Sequence, residues 1–255
     1  MVTLPTVSPD RYQLSPVSPA RPQRVVVYGP PGVGKTTLAA QWACPALIDA
    51  ERGADNLPSL MTLGTPTSQS DVLAMISWVV IYGLQNGVKT LVIDSIDAIE
   101  QIIWAGICQA GGKPSIDAFE FGRGYALARD KMQAILEALD AAIGVGIEVV
   151  IIAHATVETV KDPTGNDFQR YTIALQRRAA EALIRWADSV LFLELDKHVR
   201  PGRAGAAGKA MGDGDRVIHT AQRPSALAKS RRPLPDEIEI GMDPTFAKFF
   251  EMWRK

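Results

Sequence analysis

Cysteine is scarce in this chain of 255 residues, and the two present, Cys44 and Cys108, are far apart in sequence. That spacing argues against a disulfide framework and against a zinc site. Both thiols sit in apolar stretches and are expected to be buried in a reducing cytoplasm. Charge of one sign is also lacking: the formal net charge is −1, which excludes a uniformly basic nucleic-acid binder and leaves room for a local basic face. Long hydrophobic runs are missing, and the longest, around Val79-Val80-Ile81, is far too short to span a bilayer. No basic stretch followed by an apolar run marks a signal peptide. A soluble cytoplasmic protein with no membrane partner is expected. There is no internal repeat. Against these absences, hydrophobic residues make up 47% of the chain and charged ones 22%, enough for one large α/β core.

Proline is concentrated at the start. Residues 1–23 carry Leu4-Pro5, Ser15-Pro16, Ser18-Pro19 and Arg21-Pro22, a composition that cannot bury enough apolar surface to fold alone and reads as a flexible arm. Residues 24–255 then form the core. Apolar runs at Arg24–Tyr28, Ala46–Asp49, Thr90–Asp94, Val149–Ala153 and Val190–Leu195 read as strands. Helical patterns alternate with them at Thr36–Ala43, Asp71–Gln85, Ile96–Cys108, Arg123–Ile143 and Ala174–Ala187. Continuous apolar strands separated by amphipathic helices predict a mostly parallel sheet with helices on both faces. After a loop at Lys197–Gly214, short strands at Arg216–Ala221 and Glu237–Ile240 precede a closing helix, Pro244–Arg254, whose Phe249, Phe250 and Trp253 are expected to pack on the sheet.

Directly after the first apolar run comes Gly29-Pro30-Pro31-Gly32-Val33-Gly34-Lys35-Thr36, followed by Thr37 and a helical pattern. Strand, glycine-rich loop, helix is the context in which G-x-x-x-x-G-K-[ST] becomes a nucleoside triphosphate site. Glycines let the backbone turn its N–H groups onto phosphate oxygens, and the helix start adds its positive dipole end. Lys35 is expected to reach the β- and γ-phosphates and Thr36 to hold Mg²⁺.

Ligands of a parallel sheet gather at the C-terminal ends of its strands, so the residues there carry weight. Asp94 ends the strand Leu91-Val92-Ile93-Asp94 and is expected to hold Mg²⁺ through water. Ser95 follows it where many ATPases carry a catalytic glutamate, so the base must come from elsewhere. Glu51, just past Ile48-Asp49-Ala50, is the best-placed candidate to polarise an attacking water. His154 ends Val149–Ala153 and can hydrogen-bond a γ-phosphate and report it to the loop that follows, residues 155–171. That loop and another at 110–123 are long and polar, a length usually tied to function. Arg170, Arg177, Arg178, Lys197, Arg200, Arg203, Lys209, Arg223, Lys229, Arg231 and Arg232 make the late chain basic, and could form a groove for nucleic-acid phosphates. Lys229 and Arg231 alternate along a strand, so both cations could reach the nucleotide of a neighbouring subunit.

These features in this order resemble the RecA-like P-loop ATPases of bacteriophages, AAA-family nucleotide-binding proteins that include single-strand-annealing recombinases. The likeness is carried by Gly29–Thr36, Ile48–Glu51, Leu91–Ser95, Ile151–His154, Trp186–Phe192 and Ala228–Pro235, across roughly residues 24–240. It implies a RecA-like core with ATP and Mg²⁺ as cofactors. Gly29, Pro30, Pro31, Gly32, Val33, Gly34, Lys35, Thr36 and Thr37 would contact the nucleotide, and Thr36 and Asp94 the metal. Glu51 would be the base, His154 would replace the glutamine usual in RecA, and Lys229 and Arg231 would act in trans. The resemblance further implies self-association into a ring or filament, single-stranded DNA lining loops 110–123 and 155–172, and a single-stranded-DNA-binding protein as a further partner. The expected function is an ATP-hydrolysing, single-stranded-DNA-binding recombinase or annealing protein. A replication helicase core or helicase loader, and a nucleotide-gated scaffold that does not hydrolyse, are the alternatives.

Overall fold

A computed structural model describes residues 21–53, 57, 60–162, 165–196, 198–200, 209–211 and 214–254. Of the proline-rich arm only residues 21–23 fall among them. The first strand, β1 (Arg24–Gly29), shows why the sheet forms. Val25, Val26, Val27 and Tyr28 are all fully buried, and they alternate between two cores: Val26 and Tyr28 face one, Val25 and Val27 the other. A strand with no polar face can lie only in the middle of a sheet covered on both sides.

β1 leads through the glycine-rich loop into α1 (Lys35–Ala39), then β2 (Pro45–Asp49), β3 (Met61–Gly64), α2 (Gln69–Tyr82), β4 (Thr90–Asp94) and α3 (Ile96–Gly111). α4 (Arg123–Gly144), β5 (Glu148–Val160), β6 (Phe168–Ile173), α5 (Arg177–Trp186) and β7 (Ser189–Leu195) follow. The chain ends with a hairpin, β8 (His198–Arg200) and β9 (Lys209–Met211), then β10 (Arg216–His219), β11 (Lys229–Ser230), β12 (Glu237–Gly241) and α6 (Ala247–Trp253). The large sheet runs β12-β10-β7-β1-β5-β4-β2-β3. Its six strands from β7 to β3 are parallel; β10 and β11 pair antiparallel with β7, and β12 antiparallel with β10. Helices α2 to α5 cover the face of Val26 and Tyr28; α1 and α6 cover the other. The expected α/β architecture is thus the observed one. On the α6 side, Phe249, Phe250 and Trp253 surround Trp42 with ring centroids 5.7, 5.0 and 5.9 Å away, so the closing helix packs as its aromatics predicted. No helix among the described residues is long and apolar enough to cross a membrane.

Three expectations are corrected. Residues 155–160 and 168–171 are not part of an unpatterned loop: β5 runs on past the core and β6 folds back against it, from Ala155↔Ile173 to Val160↔Phe168. The β-branched and aromatic residues there (Thr156, Val157, Thr159, Tyr171, Thr172) favour a pleated pair, and exposure of one face is what makes the segment look polar. Residues 110–123 are mostly ordered as helical turns, Ile116–Ala118 and Glu120–Gly122, between α3 and α4. Cys44 is exposed and Cys108 half-buried. The chain turns at Cys44 with φ of 42°, which sends Trp42 inward and leaves the thiol outside.

α5 is tied to α3 by a buried carboxylate. Glu100 accepts the Gln176 N–H at 3.2 and 3.1 Å on its two oxygens. Burial pushes its pKa up to about 7, with the Asp97 charge adding and the Gln176 N–H opposing. A raised pKa means the native state holds the proton more tightly. Stability is then fully present below the ordinary glutamate range and is lost as pH rises through the folded value. Glu100→Gln keeps an acceptor for the amide but cannot ionise. Its melting temperature relative to wild type is expected to rise between about pH 5 and about pH 8, measured by circular dichroism; a constant difference would remove Glu100 from the pH dependence.

Candidate active site

Parallel pairing sets Gly29 level with His154 and Asp49 level with Asp94. The ends of β1, β4 and β2 and the His154 position of β5 therefore form one row, and the glycine-rich loop rises from its β1 end. Gly29 must lack a side chain, because a Cβ there would lie 2.0 Å from the Leu193 carbonyl oxygen. Gly34 has φ of 103° and precedes α1 with no side-chain cap, so the first N–H groups of the helix are left for an anion. Val33 is buried under the loop, while Pro31 and Gly32 are exposed and Thr37 lies half-buried on α1.

Lys35 points back into the loop, its Nζ donating to the carbonyls of Gly29 at 3.1 Å and Pro30 at 3.0 Å. Burial lowers its pKa, and the charges of Asp94, Glu51 and Asp97 oppose that shift. Thr36 Oγ1 donates to Asp94 Oδ2 at 2.6 Å. Burial raises the Asp94 pKa to about 6, with Glu51 and Asp49 adding and Thr36 and Lys35 opposing. A hydroxyl and a desolvated carboxylate side by side are hard oxygen donors of the kind Mg²⁺ takes, alongside water and phosphate. The residues present fit a magnesium nucleotide.

Glu51 is drawn into the same row. The Ala50 and Glu51 N–H groups donate to the Asp94 carbonyl at 2.7 and 3.3 Å. The Ser95 hydroxyl donates to Glu51 Oε1, and His154 Nδ1 lies 3.3 Å from the same oxygen. His154 is held by Asp97, which accepts its backbone N–H at 3.0 Å and meets Nδ1 at 2.7 Å. Ser95 also accepts the Ala98 N–H at 3.3 Å, capping α3, and the Asp94–Ser95 peptide is cis. Ser95 and Asp97 were not singled out from sequence as site residues. The available signal was a serine at a helix start with an acidic residue in the first turn, which ordinarily means capping alone.

The structure thus brings together Lys35, Thr36, Asp94, Glu51 and His154. It does not bring Lys229 and Arg231 to them. β11 pairs with the start of β7, Lys229 opposite Val190, at the end of the parallel strands remote from Gly29. Arg231 Nη1 donates to buried Asp188 at 2.9 Å, a carboxylate that also accepts from Arg21 and from the Arg24 N–H. Burial lowers the Lys229 pKa, with the Arg231 charge adding. Several of the late-chain cations are paired or stacked within the chain. Arg170 pairs with Glu158 at 2.6 Å, Arg177 with Glu181 at 3.0 Å and Arg223 with Glu237 at 2.5 Å. Arg232 stacks over Trp253 at 4.6 Å. Glu181 is one helical turn from Arg177, whereas Glu158 and Glu237 lie 12 or more residues from their partners, pairings that a linear reading of the late chain cannot see. Lys197 and Arg203 lie outside the described residues, as do the side chains of Arg200 and Lys209.

A family model described as an AAA domain matches residues 21–232, a span that includes the loop and all four strand ends. No curated protein matches the chain. The chain belongs to this AAA-domain family of nucleotide-binding P-loop NTPases.

Asp97 makes two hydrogen bonds to one residue, so Asp97→Ala leaves the half-buried His154 N–H without its acceptor and the ring nitrogen with only the Glu51 oxygen 3.3 Å away. The expected cost is about 1–3 kcal/mol in denaturant unfolding, with Asp97→Asn recovering part of it. Unchanged unfolding in both would contradict the clamp.

Proposed function

We propose that this member of the AAA-domain family is an Mg²⁺-dependent ATPase of RecA type that acts on single-stranded DNA as a recombinase or annealing protein. One observation carries the hydrolytic part: Glu51 Oε1 is held by Ser95 and His154 in the same strand-end row as Thr36 and Asp94. In this reading Gly29–Thr37 and Lys35 bind the triphosphate, and Thr36 and Asp94 hold the metal. When bound, ATP supplies the phosphoanhydride bond to be cleaved. With Oε1 committed, the second carboxylate oxygen of Glu51 is the one to take a proton from water. His154, locked by Asp97 through both its backbone and its ring, stands where β5 leaves the core. A change at its ring is passed to the β5–β6 hairpin, whose polar side is the expected DNA contact.

Lys229 and Arg231 sit at the far end of the sheet from their own loop, so in this reading they serve the P-loop of a neighbouring subunit in a ring or filament. Arg231 would leave Asp188 to do so.

Lys35→Ala is expected to weaken ATP binding by about 10- to 100-fold, the worth of a charge-assisted contact to phosphate, with the fold retained. Normal binding, read by a fluorescent ATP analogue, would sink the phosphate assignment. Glu51→Gln is expected to lower kcat by about 100-fold or more while ATP still binds. If wild-type turnover is already negligible and the substitution changes nothing, a non-hydrolysing scaffold is the better account. Single-stranded DNA is expected to raise the ATPase rate of the wild type. No stimulation by any DNA with basal turnover intact would contradict the recombinase reading, and directional unwinding of a fork without annealing would favour a helicase role. Mixing Lys229→Ala or Arg231→Ala protein with Glu51→Gln protein is expected to restore part of the turnover; no rescue would rule out the trans role.

A further inference from the structure

Arg216 opens β10, two strands away from β1, yet its side chain reaches the glycine-rich loop. Its Nε donates to the Val33 carbonyl at 2.9 Å. The guanidinium lies 5.9 Å from the centre of the Phe246 ring, a fully buried side chain just before α6, and Nη1 is 3.5 Å from the Met242 carbonyl. The neighbouring Gly34 packs against the same pair: a Cβ on it would lie 3.3 Å from Arg216 Nε and 3.4 Å from Phe246 Cζ. Met242 and Phe246 fall beyond residue 232, where the family match stops.

A trans peptide unit is rigid and planar, and its C=O and N–H point in opposite directions. Whatever fixes the Val33 carbonyl also fixes the direction of the Gly34 N–H. We propose that Arg216 is a positioning residue for the phosphate site: by holding the Val33 carbonyl from outside the loop, it aims the Gly34 N–H into the loop as a phosphate donor. The glycine conformation at Gly34, φ of 103°, offers the backbone little restraint of its own. Phe246, through its ring, holds the guanidinium in place, so the C-terminal β12–α6 segment serves the P-loop without touching the ligand. The inference rests on residues 29–36 being a phosphate site, as set out under the proposed function.

The test compares wild type, Arg216→Ala, Arg216→Lys and Phe246→Leu with Lys35→Ala as the control. A fluorescent ATP analogue with Mg²⁺ reports affinity, and displacement by inorganic pyrophosphate reports the phosphate contacts alone. Arg216→Ala is expected to weaken both by about tenfold, the scale of one well-aligned donor to an anion, with the loss falling on KM rather than kcat. Arg216→Lys and Phe246→Leu are expected to lose less and to cover for Arg216→Ala should that variant not fold. Pyrophosphate affinity unchanged in Arg216→Ala and Arg216→Lys, while Lys35→Ala loses it, overturns the inference and leaves the phosphate site standing. Affinity that falls only in step with melting temperature across all the variants also overturns it. Normal binding in Lys35→Ala overturns the phosphate site, and the inference with it.

Discussion

The register of four parallel strands is the constraint on which everything else in this molecule depends. Gly29 ends level with His154 and Asp49 with Asp94, so residues separated by as many as 125 positions in sequence meet in one row. That register is set by apolar residues that have no polar face to offer. Slipping β1 by one position would exchange Val26 and Tyr28 for Val25 and Val27 between two differently shaped cores. The hydrophobic packing of the sheet therefore fixes the spacing of the charged groups above it.

Those charged groups are mutually dependent. Asp49, Glu51, Asp94 and Asp97 gather around one buried ammonium, that of Lys35, and one imidazole, that of His154. Carboxylates packed this closely would repel one another strongly in a dry interior. Hydroxyls soften the arrangement: Thr36 donates to Asp94 and Ser95 to Glu51. A site with a surplus of negative charge and a hydroxyl beside its most buried carboxylate suits a divalent cation, which an AAA-domain nucleotide site would bring with its triphosphate. The same carboxylates oppose the lowering of the Lys35 pKa by burial.

The sheet, the phosphate loop and the strand-end residues were legible in the sequence because each rests on local pattern. Val25–Tyr28 has no polar face, Gly34-Lys35-Thr36 starts a helix, and Asp94 and His154 end apolar runs. The β5–β6 hairpin was not read, because a strand with an exposed face carries half the apolar signal of a buried one. Asp97 and Ser95 looked like ordinary helix-start residues. Arg216 gave no sign at all, since its partner Val33 lies 183 positions away and only the antiparallel β10 brings them together. Several basic residues of the late chain have partners hidden for the same reason: those of Arg170, Arg223 and Arg231 lie on other elements. Local chemistry shows in sequence, and long-range pairing does not.

A structure of the protein with Mg²⁺ and a non-hydrolysable ATP analogue tests the central claim, that the strand-end row is a magnesium–nucleotide site. The account predicts the metal about 2.1 Å from Thr36 Oγ1, Asp94 reaching it directly or through water, and Lys35 Nζ moved from the Gly29 and Pro30 carbonyls onto phosphate oxygen. A nucleotide bound elsewhere, with Lys35 still on those two carbonyls, would contradict it.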